Sequence, residues 1–388
     1  MHRHLFAAML TLCGSATWLQ AEVGVTDKEI LVGQCAALTG AAAGLGTGVN
    51  QGFNAWVAEA NGKGGIHGRN LRLITADDGY DPDKCVEGTV KLIEEDKVFA
   101  LAGYVGTPTT KVAIPIVTES KVPLVGAFTG AGLLRTDEKT GKPHRYVINF
   151  RASYGNETDT LVEHLTKDLG ITKIACFYQN DSFGQAGLAG TEAALKKRSM
   201  TLVAKGTFER NTIVVKKGLA EVMAGNPEAV IMVGPYKPVT TFLAEAKAAG
   251  LKARFATVSF VGTENLITEA GANGERVIIS QVVPSPADAS VPLVKDYLAA
   301  LKATYPNATP GYVSLEGYAT ARLLGIGLDK AGKDLTREGL IDAFHQLAKT
   351  DLGGMEMNLS ADDHQGSDLV YLTEVTGGMA KQITVLTR

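Results

Sequence analysis

Short apolar runs alternate with helix-spaced segments along most of this chain, and that alternation restricts the fold more than any other feature. Glu29 to Leu38 (EILVGQCAAL) is an apolar run of strand length. Parallel strands covered on both faces read this way, because neither face meets water. Gln51 to Ala60 then sets Phe53, Trp56, Val57 and Ala60 on one helical stripe. The glycine-rich stretch Asn61 to Gly68 ends that helix, and a small-residue loop over Gly40 to Gly48 precedes it. Strands follow at Leu71 to Ala76, Val98 to Gly103 and Val122 to Val125. Helices open between them at Asp81-Pro82 and Pro108, where proline at a first turn sacrifices no hydrogen bond. The series restarts after Arg145 to Phe150, with strands at Ile174, Thr201, Ala229, Phe255 and Val277 and helices between. Pro284-Ser285-Pro286 breaks it. Three helical stretches follow, and a hairpin around Gly377-Gly378 closes the chain.

Two such series in 388 residues exceed what one core organises. The expected fold class is α/β, with two doubly wound parallel-sheet lobes and chain crossings near 150 and 283. Net charge is −3, with 38 Lys and Arg against 41 Asp and Glu, so no basic excess exists for nucleic acid.

His2, Arg3 and His4 precede an uncharged apolar run, Leu5 to Leu19, and Ala21 offers a cleavage point. This reads as a signal peptide over residues 1–21 and predicts an exported protein. Cys35, Cys85 and Cys176 then remain. Cys35 and Cys176 lie in strand-like runs and read as small hydrophobes, while a Cys35–Cys85 bond is compatible with an oxidising compartment.

Enzyme motifs are missing. Gly44-x-Gly46-x-Gly48 has Val49 where a dinucleotide fingerprint needs its last glycine. There is no phosphate loop, nucleophile elbow or metal-ligand spacing, and the seven histidines are scattered. Asp77-Asp78 reads as turn chemistry with Asp81-Pro82. Three loops at strand ends are different in kind: Ala37 to Gly48, Gly103 to Thr110 and Gly126 to Gly132 are all rich in glycine and hydroxyls. In open α/β sheets such loops hold the ligand. A helix opening at Thr107-Pro108 presents free N–H groups suited to an anion.

Leu38-Thr39-Gly40, the turn Asn61 to Arg69, Asp77-Asp78 with Asp81-Pro82, Gly103 to Thr107, and Tyr178 with Asp181 to Gly184 occur in that order. In this combination the mature chain resembles the type I periplasmic solute-binding proteins of ABC importers, in the leucine/isoleucine/valine-binding branch. The resemblance implies a three-strand hinge near 150, 283 and 352. Lobe 1 would be 22–149 plus 283–351, and lobe 2 would be 150–282 plus 352–388. It implies a monomer that captures a small solute in the periplasm and passes it to a membrane permease, with no enzymatic activity, no cofactor and no metal. A sensing subunit for a membrane receptor is the alternative.

The resemblance also implies a ligand site. Its carboxylate-holding serine falls on Thr107, next to Gly106, and its small-residue loop falls on Ala127, Phe128 and Thr129. Its first-loop aromatic falls on Leu45, and its second-lobe aromatics on Phe183, Tyr236 and, near the third hinge, Tyr312. The acid that pairs with a ligand ammonium falls on Ser259, a neutral residue. A buried unpaired ammonium is costly, so this departure points to a small carboxylate, aromatic or not, with a hydrophobic amino acid as competitor. An acidic residue facing the cleft beside Ser259 would weigh against the carboxylate.

Overall fold

The computed structural model describes residues 22–387; the expected signal peptide lies outside them. The first series runs β1 (Glu29–Ala36), α1 (Ala43–Gly62), β2 (Asn70–Asp77), α2 (Pro82–Glu94), β3 (Ala100–Ala102), α3 (Thr107–Glu119), β4 (Leu124–Val125) and β5 (Val147–Ile148). The second runs α4 (Tyr154–Lys167), β6 (Ile174–Gln179), α5 (Ser182–Lys197), β7 (Ala204–Phe208), α6 (Lys216–Ala224), β8 (Ala229–Val233), α7 (Tyr236–Ala248), β9 (Arg254–Thr257), α8 (Thr263–Ala270) and β10 (Ile278–Gln281). Then come α9 (Pro292–Thr304), α10 (Tyr312–Ala331), α11 (Arg337–Phe344), β11 (Thr350–Asp351), β12 (Glu356–Met357), β13 (Tyr371–Thr376) and β14 (Met379–Ile383).

The first sheet has the order β2-β1-β3-β4-β5 and is parallel throughout. The second has the order β14-β13-β10-β9-β8-β6-β7. Its five parallel strands repeat the first sheet's winding, and β13 and β14 extend it antiparallel. The terminal hairpin turns on Gly377-Gly378, both at positive φ, as a two-residue loop requires. The α/β class with two doubly wound sheets is therefore what the molecule shows.

Two expectations need correction. The small-residue stretch before Gln51 is not all loop, because α1 begins at Ala43. Its glycines serve helix packing. A Cβ on Gly48 would stand 2.8 Å from Val313 Cγ1, and one on Gly52 would overlap the Ser314 carbonyl oxygen of α10. The two backbones approach so closely that only glycine fits. The third crossing also falls later than 352. Leu352, Met355, Met357 and Leu359 are buried with Leu340, Ile341 and Phe344 in the first lobe's core. The chain leaves that lobe only after Gln365, which bridges to Asn149 beside the first crossing. His364 fastens this point, its Nδ1 lying 3.0 Å from the His144 carbonyl oxygen and 2.9 Å from that of Val147. The sequence hides the displacement because β11 and β12 are two residues each, too short for any periodicity.

Candidate functional site

The carboxyl ends of β1, β3 and β4 meet those of β6, β8 and β9 across one cleft, where this fold places ligands. On the first lobe, Gly106 takes φ +104° and turns the chain into α3, whose start carries no side-chain cap. Thr107 is fully buried and its hydroxyl lies 2.6 Å from that of Thr129, which the loop after β4 delivers. Val105 bridges to Phe128 and locks the two loops side by side. Ala127 and Phe128 are buried in the same wall.

The second lobe answers with rings. Phe260 stands 5.4 Å from Phe128 and 4.6 Å from Phe183, and Phe183 stands 5.3 Å from Tyr154. Tyr236 accepts the Gly44 N–H through its hydroxyl at 3.2 Å, joining the start of α7 to that of α1. Leu45 faces Gly262 across the same gap. Tyr312 is set apart: its N–H donates to Glu264 at 3.0 Å and its hydroxyl lies beside Ser285 of the second crossing. The structure thus gathers Gly106, Thr107, Ala127, Phe128, Thr129, Phe183 and Ser259 at one place, with Leu45 and Tyr236 at its rim.

Ser259 sits in a buried ion cluster. The Arg151 guanidinium bonds the Ser259 hydroxyl, approaches Glu157 at 2.6 Å and Glu316 at 3.4 Å, and lies over the Phe128 ring at 5.3 Å. Glu157 also accepts the Ser259 N–H at 2.8 Å and the Ser280 hydroxyl at 2.6 Å. Burial would lower the Arg151 pKa, but the Glu316 and Glu157 carboxylates outweigh it and hold the group firmly charged. Arg151 Nε has no hydrogen-bond partner among the described residues. Burial drives the Glu316 carboxyl up to about 7 against the pull of Arg151. A carboxyl raised above its unfolded value contributes its stability below that value and loses it as pH rises through the folded one. Stability measured by urea unfolding is therefore expected to decline between pH 5 and pH 8 in the wild type relative to Glu316→Gln. A pH-independent difference between the two would contradict this.

Tyr80 is the residue that sequence reasoning missed. In Asp78-Gly79-Tyr80-Asp81-Pro82 it reads as part of a turn, and it does take φ +61°. Asp77 builds that turn by accepting the N–H groups of Leu38 and Gly79, each at 2.9 Å. The Tyr80 ring is carried over Gly106 into the cleft, fully buried, 6.0 Å from Phe260. Its hydroxyl accepts from Gln179 Nε2 at 3.2 Å, and its carbonyl accepts from Arg210 at 3.1 Å and Asn211 at 3.4 Å. Four residues of the second lobe thus touch one residue of the first. The only cue in the sequence was an aromatic in a turn that needs none. Arg151 and Glu157 were equally silent, since single charges near a strand end and a helix start read as surface.

Among the described residues no group of three or more His, Cys, Asp or Glu could hold a metal, and no helix is long and apolar enough to cross a membrane. The periplasmic binding protein family matches residues 29–380. A leucine-specific-binding protein of Salmonella typhimurium is 23% identical, over 93% of this chain and 98% of its own. An amino acid binding protein of Pseudomonas aeruginosa is 24% identical, over 63% of this chain and 64% of its own, so the chain spans less than two thirds of that relative. Among solved structures, a possible leucine/isoleucine/valine-binding protein from Rhodopirellula baltica superposes with a TM-score of 0.87 at 35% identity, over 92% of this chain and 97% of its own. A fatty acid ABC transporter substrate-binding protein from Thermomonospora curvata shares the fold with a TM-score of 0.83 at 23% identity, over 94% and 93%. The chain belongs to the periplasmic binding protein family, in its leucine/isoleucine/valine-binding branch.

Proposed function

We propose that this protein captures a small solute carrying a carboxylate and an apolar or aromatic body between its lobes, in the periplasm, and delivers it as a monomer to the permease of an ABC importer. One observation carries the reading: the paired Thr107 and Thr129 hydroxyls lie at an uncapped helix start, under a roof of Tyr80, Phe128, Phe183 and Phe260. Free N–H groups and two hydroxyls suit an anion, and the rings suit an apolar body. Glu157 does stand beside Ser259, which counts toward an amine. Its carboxylate is already engaged by Arg151, Ser259 and Ser280, and an ammonium placed at Ser259 would lie against the guanidinium. This favours a solute without an α-amino group.

Thermal unfolding of residues 22–388 against a solute panel tests it. A ligand at a hundred times its Kd adds about 2.7 kcal/mol of stability. Aromatic and short aliphatic carboxylates are expected to raise Tm more than leucine or valine. If leucine or valine gives the larger shift, Ser259 does not mark a changed specificity and the branch's amino acid ligand stands. Replacing Thr107 and Thr129 together by Val should weaken the best ligand by at least about tenfold, since a hydrogen bond to a charged group contributes roughly 1.5–3 kcal/mol. Titration calorimetry reads this directly, and unchanged affinity would move the carboxylate elsewhere.

A further inference from the structure

Cys35 lies on the face of β1 that α2 covers, and Cys85 is the fourth residue of that helix. Both are fully buried and both are free thiols here. The Cys35 sulfur is 3.9 Å from the Cys85 carbonyl oxygen, which puts it within a side chain's reach of the Cys85 backbone. Each sulfur is 3.9 Å from the same Thr89 hydroxyl. That hydroxyl donates to the Cys85 carbonyl at 2.6 Å and lies 3.1 Å from the Tyr104 hydroxyl, so its proton is committed away from the thiols. A Cβ on Gly88, one turn along α2, would stand 2.8 Å from the Cys35 sulfur. The absent side chain leaves the helix seated directly on that thiol.

We propose that Cys35 and Cys85 are a disulfide-forming pair, oxidised by thiol–disulfide exchange when the chain folds outside the cytoplasm. The oxidant is a disulfide of the exporting compartment. One cysteine thiolate attacks it and releases one oxidant thiol; the other thiolate then attacks the mixed disulfide and releases the second. Two protein thiols become one S–S bond, and two electrons and two protons pass to the oxidant. Asp78 lies beside Cys85 and is buried, and its Oδ2 has no hydrogen-bond partner among the described residues. It is placed to take the departing proton. Burial, the largest influence on it, lifts this carboxyl to about 7, in the range where it exchanges a proton near neutrality. The bond would close a loop around α1 and β2. It would also fix the segment from Asp77 to Asp81 that projects Tyr80 into the cleft. Cys176, on β6 in the other lobe, is left as the unpaired thiol.

The inference rests on the exported location proposed above, so the test is made in vitro. Reduced residues 22–388 are unfolded, refolded in oxidised and reduced glutathione, quenched in acid, unfolded and alkylated. The expected product carries one alkyl group, on Cys176, is lighter by two hydrogens, and yields one linked peptide pair joining Cys35 to Cys85. Cys35→Ser should leave Cys85 and Cys176 both alkylated with no link. Adding a phosphine reductant to the oxidised protein should lower Tm by roughly 5–10 °C. Three alkylated cysteines, or a link involving Cys176, overturns the proposal. Solute stabilisation of the same sample is scored separately, so the pairing and the transport reading can fail independently.

Discussion

Removing the Arg151 side chain is expected to destabilise the protein by about 3–5 kcal/mol, because it strands two carboxylates in the interior. Arg151 is fully buried and bonds Glu157, Glu316 and Ser259 together. Glu157 belongs to α4 of the second lobe and Glu316 to α10 of the first, so the guanidinium joins both lobes at the point where the chain first crosses. Arg151→Ala leaves both acids without their cation. Urea unfolding at pH 7 should show the loss, and the combination with Glu157→Gln should recover part of it. A loss below about 1 kcal/mol would mean that water reaches the cluster and the charges are not truly interior.

Gly106→Ala is expected to remove solute binding and to cost about 2–4 kcal/mol of stability, combining backbone strain with overpacking. At φ +104° an L side chain is strained wherever it points, and the added methyl would overlap the Tyr80 ring. That ring has little room to retreat, since its hydroxyl is held by Gln179 and its carbonyl by Arg210 and Asn211. The ring would be pushed toward Phe260, into the space proposed for the solute. Loss of the ligand-induced rise in Tm, with a lowered baseline Tm, is the expected signature. A variant that binds normally would show that the solute lies away from α3.

Much of the fold was legible because its physical cause is local. Parallel strands buried on both faces must be apolar runs, and β1, β6 and β8 are. Proline at the first turn marks α2, α3 and α9. The start of α1 was not legible, because glycines that admit a neighbouring helix look the same as glycines that make a loop. Only the distant Ser314 and Gly317 tell them apart. In the candidate site, Thr107 and Thr129 were reachable through the loop pattern. Tyr80, Arg151 and Glu157 were not, because what makes each one matter lies far away in the sequence: Gln179 and Arg210 for Tyr80, Glu316 for Arg151, Ser259 and Ser280 for Glu157.

The interleaving of the chain between lobes sets the order in which this protein can assemble. The first lobe's core draws on residues from Val25 to Phe150 and again from Val283 to Leu359. In a chain made from its N-terminus, the five strands of that lobe and α1 to α3 therefore precede α9, α10 and α11, which complete the cover of one face. The second lobe lies wholly within the gap, apart from its last hairpin, and can collapse while the first still waits. The contacts between α1 and α10 are separated by more than two hundred residues, a separation that slows folding. Closure of the N-terminal lobe therefore waits on the last third of the chain, and until that arrives the apolar face of β1 and its neighbours stays partly uncovered and open to misassociation.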